Sequence, residues 1–420
     1  MPVFALIDCN SFYCSCERIC QPELKRVPVV VLSNNDGCVI ARTAEVKKLG
    51  IPMGEPYHLV SKKLAELGVA VRSSNYTLYA DISNRVMRTI ADMVPSLEVY
   101  SIDECFADMT GVADAEGLGR AVRARLLQWV GMPVGVGIST TKTLAKLANW
   151  AAKKWPATGG VVDLTDPVRQ EKLLRLAPVN EVWGVGRGSA AKLATLGIAT
   201  AWDLAQFDIG TIRKTFGVVM ERTVRELRGT SCIGFNQGPP PKQAICSSKM
   251  FGEKLEGLAP IREALATYVA RAAEKLRSQG SLCGALQVGL QTQLHNTKRP
   301  RYANAETCAL EVPTDDTRDL LAVALPALDR IFRPGFLYSK CSILLMDLCQ
   351  RGEVTCDLFA PAPRPGSDRL MAVLDAINER EGRGTVRLGR VPVDPEWGMR
   401  RDMKSRAFTT RWGEVIGVRG

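Results

Sequence analysis

The sequence predicts a multidomain protein, α/β over its first 165 residues and α+β beyond residue 240. Three observations carry that expectation. Short runs of strand formers alternate with helix-periodic segments near the N-terminus. A stretch of short helices joined by glycine turns follows, from about 166 to 240. The proline-rich "QGPPPKQ" then separates a second region of longer helices and strands. A chain of 420 residues has room for several domains of roughly 100–200 residues each.

Taken in order, "VFALI" reads as a strand ending at Asp8 and "SFYCSCERIC" as a helix. "VPVVVL" is a second strand, and "TAEVKKLG" a short helix closed by Gly50. "YADISNRVMRTIADMV" has helical periodicity, whereas "LEVYSI" and "CFADM" alternate like paired strands. "GLGRAVRARLLQWVG" is helical, "PVGVGIS" a strand, and "TTKTLAKLANWAAKKW" a helix expected to cap at Ser139 or Thr140. Beyond the linker, "PIREALATYVARAAEKLRSQG" and "DTRDLLAVALPALDRIF" read as helices, "ALQVGLQT" and "SKCSILLMDL" as strands.

No apolar run approaches the ~20 residues of a membrane helix. The start, "MPVFALIDCN", lacks a basic region before its apolar stretch, so no signal peptide and a cytoplasmic location are expected. The formal charge of +11 favours polyanionic partners. None of the 13 cysteines forms a CxxC pair, and Cys9, Cys14, Cys16 and Cys20 do not follow paired zinc-ligand spacings. They read as reduced, mostly buried thiols.

"LEVYSIDECFADMTG" places Asp103 and Glu104 side by side between two strands, and Asp8 ends another. Adjacent carboxylates repel unless water or a cation intervenes. A solvated turn is one reading. The other is convergence of three carboxylates on hard divalent cations, which prefer oxygen ligands. Two such ions about 3.5–4 Å apart can organise attack and departure in phosphoryl transfer. Lys142, Lys146, Asn149 and Lys153 then fall on one helical face, either a solvated stripe or a set of phosphate ligands. Lys47 is a further candidate phosphate ligand.

"LIDCNSFYCSCE", "VLSNNDGCVIARTAEVKKLG", "YSIDECFAD" and "VGVGISTTKTLAKLANWAAKKW" resemble the Y-family translesion DNA polymerases, in the UmuC-like branch that supplies the catalytic subunit of bacterial DNA polymerase V. The likeness continues to "PRPGSDRLMAVLDAINEREGRGT". It implies a right hand: a palm (1–10 and 77–165), fingers (11–76) and a helix-hairpin-helix thumb (166–240). A little finger (242–350) and a C-terminal partner-binding tail (351–420) would follow. It also implies that Asp8, Asp103 and Glu104, with the Cys9 carbonyl, bind two Mg2+ ions. Lys47 and Lys153 would contact the deoxynucleoside triphosphate, and Tyr13 would be the gate that excludes a 2′-hydroxyl. Ala41 and Ala44 stand where many relatives carry a threonine and a tyrosine, which leaves more of the phosphate grip to the lysines.

Primer–template DNA would be held by phosphate contacts. Lys142 and Lys146 are candidates, as are the backbone at Gly184 and Gly186 in "VNEVWGVGRGSAAKLATLGI" and the basic Lys298, Arg299 and Arg301. The glycine pair also reads as a plain tight turn. Leu358 and Phe359 in "VTCDLFAPAPRPG" read either as a degenerate sliding-clamp peptide or as the end of a strand. "SDRLMAVLDAINEREGRG" is an amphipathic helix with Ser367 as expected cap and Leu370, Val373, Leu374 and Ile377 on its apolar face. The resemblance implies a processed UmuD-like dimer and RecA as partners in the SOS response to DNA damage. The rival readings are a nucleotide cyclase on a related sheet, and a catalytically silent DNA-bound scaffold that regulates recombination.

Overall fold

The computed structural model describes residues 2–235, 238, 240–295, 298–353, 364–415 and 417. Its contacts divide the chain into two units, Met1–Pro239 with Asp402–Gly420, and Pro240–Arg401. Among the described residues no helix is long and apolar enough to cross a membrane.

The first unit runs β1 (Phe4–Cys9), α1 (Phe12–Cys20), β2 (Val29–Leu32), β3 (Val39–Arg42), α2 (Ala44–Lys48), α3 (Tyr57–Glu66) and β4 (Ala70–Ser73). It continues with α4 (Tyr76–Ala91), β5 (Ser96–Val99), β6 (Glu104–Asp108), α5 (Ala115–Trp129), β7 (Val134–Ser139), α6 (Lys142–Lys154) and β8 (Val161–Asp163). Five helices follow: α7 (Pro167–Leu176), α8 (Arg187–Thr195), α9 (Ala201–Gln206), α10 (Ile209–Phe216) and α11 (Val218–Leu227).

β1 lies inside a five-stranded sheet of order β5-β6-β1-β7-β8, antiparallel to both neighbours. Both its faces are covered, which explains the unbroken apolar run "FALI". Ala5, Ile7 and Cys9 join a core with Phe12, Tyr79, Val86 and Val122. Leu6 packs with Phe106 and Ala145 on the other side. A smaller sheet, β3-β2-β4, has β2 parallel to β4 and antiparallel to β3.

α6 lies against the sheet because β7 carries glycines where side chains would collide. A Cβ on Gly137 would sit 2.2 Å from both the Ala145 carbonyl oxygen and the Asn149 nitrogen. The opposite side of α6, through Leu144, Leu147 and Ala151, shares a core with Leu173, Leu193, Leu204, Ile212 and Leu227 of the helices that follow. The helix therefore caps at Thr141, which accepts from the Leu144 amide at 3.2 Å, and not at Ser139 or Thr140, which precede this turn.

The second unit contains β9 (Ile245–Leu255), α12 (Leu258–Ser278), β10 (Ser281–Thr292), β11 (Ala303–Thr314), α13 (Thr317–Ile331), β12 (Tyr338–Gln350) and α14 (Ser367–Arg380). Its antiparallel sheet, β11-β10-β12-β9, packs one face on α12 and α13 through Leu286, Val288, Ile343, Leu345, Leu265 and Leu328. The other face presents small or polar side chains, among them Gln287, Gln291, Thr307 and Ser342.

α14 packs on its own chain, with Arg277 making paired hydrogen bonds of 2.6 and 2.8 Å to Asp375. The buried centre of its inner face is Met371, 1% exposed. Leu370 and Val373, expected on the apolar face, are exposed instead. Ser367 is not the cap: Gly366 occupies that position in a left-handed conformation (φ 71°), and the Ser367 hydroxyl donates to Asp316. Residues 402–415 belong to the first unit, where Met403 bonds Ser73 and Ser405 bonds Asn75.

Candidate active site

The antiparallel pairing of β1 and β6 brings the end of one strand to the start of the other. Asp8 and Glu104 are register partners, and the Cys9 amide donates to the Asp103 carbonyl at 2.8 Å. Acids from distant parts of the sequence, Asp8 on β1 and Asp103 and Glu104 at β6, thus meet at one sheet end. Ser101 fixes the approach to β6: its hydroxyl accepts from the amides of Asp103 and Glu104 and donates to Asp103 Oδ1 at 2.6 Å.

α6 supplies the counter-charges. Lys153 Nζ pairs with Asp8 Oδ1, and its aliphatic stem crosses the bare Cα of Gly135, where a Cβ would approach Lys153 Cγ to 3.1 Å. Lys146 Nζ pairs with Glu104 Oε1 at 2.8 Å and lies over the rings of Tyr100 and Trp183. Burial pushes the Asp8 carboxyl above its ordinary value, with Lys153 opposing the shift.

Lys142 does not share this surface. Its side chain is 1% exposed, with Nζ 2.6 Å from Glu98 Oε2 and 2.7 Å from the Gly234 carbonyl. One turn before Lys146 along α6, it lies over the Phe106 ring within the sheet and ties Glu98 to Gly234, so it is not the exposed phosphate ligand that the spacing predicts. Lys47, on α2, is exposed and forms no ion pair among the described residues.

Tyr13, in the first turn of α1, stacks on Tyr79 with centroids 4.6 Å apart and meets Tyr76 edge-on at 6.0 Å. The turn leading to it is held in an unusual backbone conformation: Ser11 has φ 47°, a left-handed position that a serine seldom adopts. Tyr79 donates from its hydroxyl to the buried Glu17 at 2.7 Å, and Ser405 donates to the same oxygen at 3.1 Å. Sequence reasoning missed Tyr79, Glu17 and Ser405, since separations of 62 and 388 residues leave no local signal.

Gly184 (φ 88°) and Gly186 precede α8, and a Cβ on Gly186 would meet nothing within 4 Å. Lys298, Arg299 and Arg301 are exposed in the connection between β10 and β11. Leu358 and Phe359 lie outside the described residues.

Among the described residues no three His, Cys, Asp or Glu side chains converge as a metal cluster. The donor set nevertheless suits a hard cation. Asp8 and Glu104 are already matched by ammonium groups, and Asp103 by a hydroxyl. Positive charge is what this sheet end is built to receive.

The comparisons give the class first. The fold is that of Y-family DNA polymerases: a Y-family chimera of Dbh and Dpo4 superposes with TM-score 0.67 at 18% identity, over 83% of this chain and 99% of that one. An insertion ternary complex of Dbh DNA polymerase gives 0.55 at 18% identity, with the same shares covered. Residues 7–150 match the impB/mucB/samB family and 242–358 its C-terminal domain, while 368–418 match a domain of unknown function. Protein UmuC of Salmonella typhimurium is 48% identical over 422 residues, covering 99% of this chain and all of the relative. The chain belongs to the impB/mucB/samB family, the UmuC-like Y-family DNA polymerases.

Proposed function

We propose that this chain is an error-prone translesion DNA polymerase that extends a primer 3′ end by two-metal phosphoryl transfer during the SOS response. The observation that carries the reading is the pairing of Asp8 with Glu104, beside Asp103 and beneath two lysines of α6. Asp8, Asp103 and Glu104 would hold two Mg2+ ions, which when bound promote attack by the primer hydroxyl and stabilise the departing pyrophosphate. Lys153, released from Asp8, and Lys47 would hold the phosphates of the incoming nucleotide, and Lys146, released from Glu104, a phosphate of the DNA. Tyr13, backed by Tyr79, presents a ring against the sugar and leaves no room for a 2′-hydroxyl.

The exposed turn at Gly184 and Gly186 lets backbone amides approach a DNA phosphate. The open face of the β9–β12 sheet offers a second surface for the duplex. A sliding clamp at Leu358 and Phe359, a processed UmuD-like dimer and RecA are the proposed partners, in the cytoplasm.

Primer extension by the purified chain tests the reading. Incorporation opposite a template base, dependent on added Mg2+ and abolished by EDTA, is expected. DNA binding without incorporation, with partners supplied, would favour the silent scaffold.

A further inference from the structure

The second unit holds a cavity of about 1160 Å³ on the helix side of its sheet, walled by β9, α12, α14 and the segment from 383 to 401. It lies away from the open sheet face. Along β9 the odd positions Ile245, Ser247, Lys249 and Phe251 turn toward the helices, and Lys249 is the polar member that reaches the cavity.

Its wall carries more cations than acids. Arg277 and Arg383, also on the wall, are engaged by Asp375 and Glu274. Lys249, Arg271 and Arg401 form no ion pair among the described residues, although Lys249 and Arg271 are half-buried and Arg401 is not fully exposed. Asp368 and Glu379, the remaining acids of α14 on this wall, are exposed, and Asp368 pairs with Arg351. Burial, followed by the fields of Arg271 and Arg401, lowers the Lys249 ammonium to about 8. Burial first, and then Arg383, lowers Arg271 as well.

Trp397 lines the same cavity and is 6% exposed. Grouped half-buried cations repel one another, and an anion bearing several oxygens removes that penalty.

We infer that this cavity binds a phosphate-bearing ligand through Lys249, Arg271 and Arg401. Phosphate fits because it offers negative charge and several acceptors to a site with cations in excess. Two sources share that chemistry: a free polyphosphate and the backbone of a nucleic-acid strand. The inference stands apart from the catalytic reading, because these residues belong to the second unit and the acids to the first.

The full-length chain, without Mg2+ or nucleotide, is treated with N-hydroxysuccinimidyl acetate, and acetylation of each lysine is followed by peptide mass spectrometry. Lys249 is expected to react faster than the exposed Lys172. Addition of sodium pyrophosphate or of (dT)20 should slow Lys249 at least about fivefold and leave Lys172 unchanged. Protection by pyrophosphate assigns a free polyphosphate; protection by (dT)20 alone assigns a strand. In the Arg271→Gln/Arg401→Gln double variant the protection should fall, with circular dichroism confirming an intact fold. Equal Lys249 labelling with and without both probes overturns the inference, as does protection that survives in the folded double variant.

Discussion

Asp8 and Glu104 face each other across the β1–β6 ladder, and each is matched to its own lysine of α6. Two of the three carboxylates at this sheet end are therefore matched by ammonium groups before any substrate arrives, while Asp103 has only the Ser101 hydroxyl among the described residues. Divalent ions and triphosphate would exchange partners with groups already in place.

Asp8→Asn should reduce primer extension at least about 100-fold, because it would remove one of the proposed Mg2+ ligands. Stability should change by no more than about 1 kcal/mol, since the lost Lys153 pair is partly exposed. Single-turnover extension and urea denaturation check the two halves separately.

Tyr13→Ala is expected to raise ribonucleotide incorporation while deoxynucleotide incorporation persists. Tyr79→Phe keeps the supporting ring but removes the donor to Glu17. It should preserve sugar selectivity and lower stability by about 1–3 kcal/mol. Unchanged selectivity in Tyr13→Ala would remove the gate assignment.

Gly137→Ala would force α6 away from β7, because both atoms its Cβ meets belong to helix backbone. A loss of about 3 kcal/mol is expected, together with reduced extension as Lys146 and Lys153 move. Gly186→Ala is the contrast. Its Cβ points into open space, so the melting temperature should hold while affinity for primer–template falls. Thermal melts and fluorescence anisotropy distinguish them.

Glu17 gives the pH dependence a sign. Burial raises its carboxyl above the ordinary value of 4.5, against the opposing bonds from Tyr79 and Ser405. Above pH 4.5 the unfolded chain has released a proton that the folded chain still holds. Stability from this group is full below that value and is lost as pH rises through the folded pKa. Glu17→Gln should flatten that slope, measured as urea midpoints stepped upward from pH 4.5.

Much of this was legible in the sequence. The strands ending at Asp8 and flanking Asp103 and Glu104 are apolar runs with local signals, and the structure pairs them. Lys142 was not: spacing places it on the face of Lys146 and Lys153, but only packing shows that Glu98 and the Gly234 carbonyl enclose it. β11 escaped notice because "ANAETCALEVPT" is poor in strand formers and contains a proline; its pairing with β10 overrides propensity. The rotated face of α14 depends on Arg277 and Asp375, from elements 98 residues apart.

Ser405 completes a pocket whose other walls, Glu17, Asn75 and Tyr79, belong to the first eighty residues. The segment around Ser405 must therefore emerge from the ribosome before the much earlier portion that holds Glu17 and Tyr79 can seal its interior. Premature stop codons upstream of Met403 would leave Asn75 and Ser73 without these partners, and such products should be preferred prey for cellular proteases.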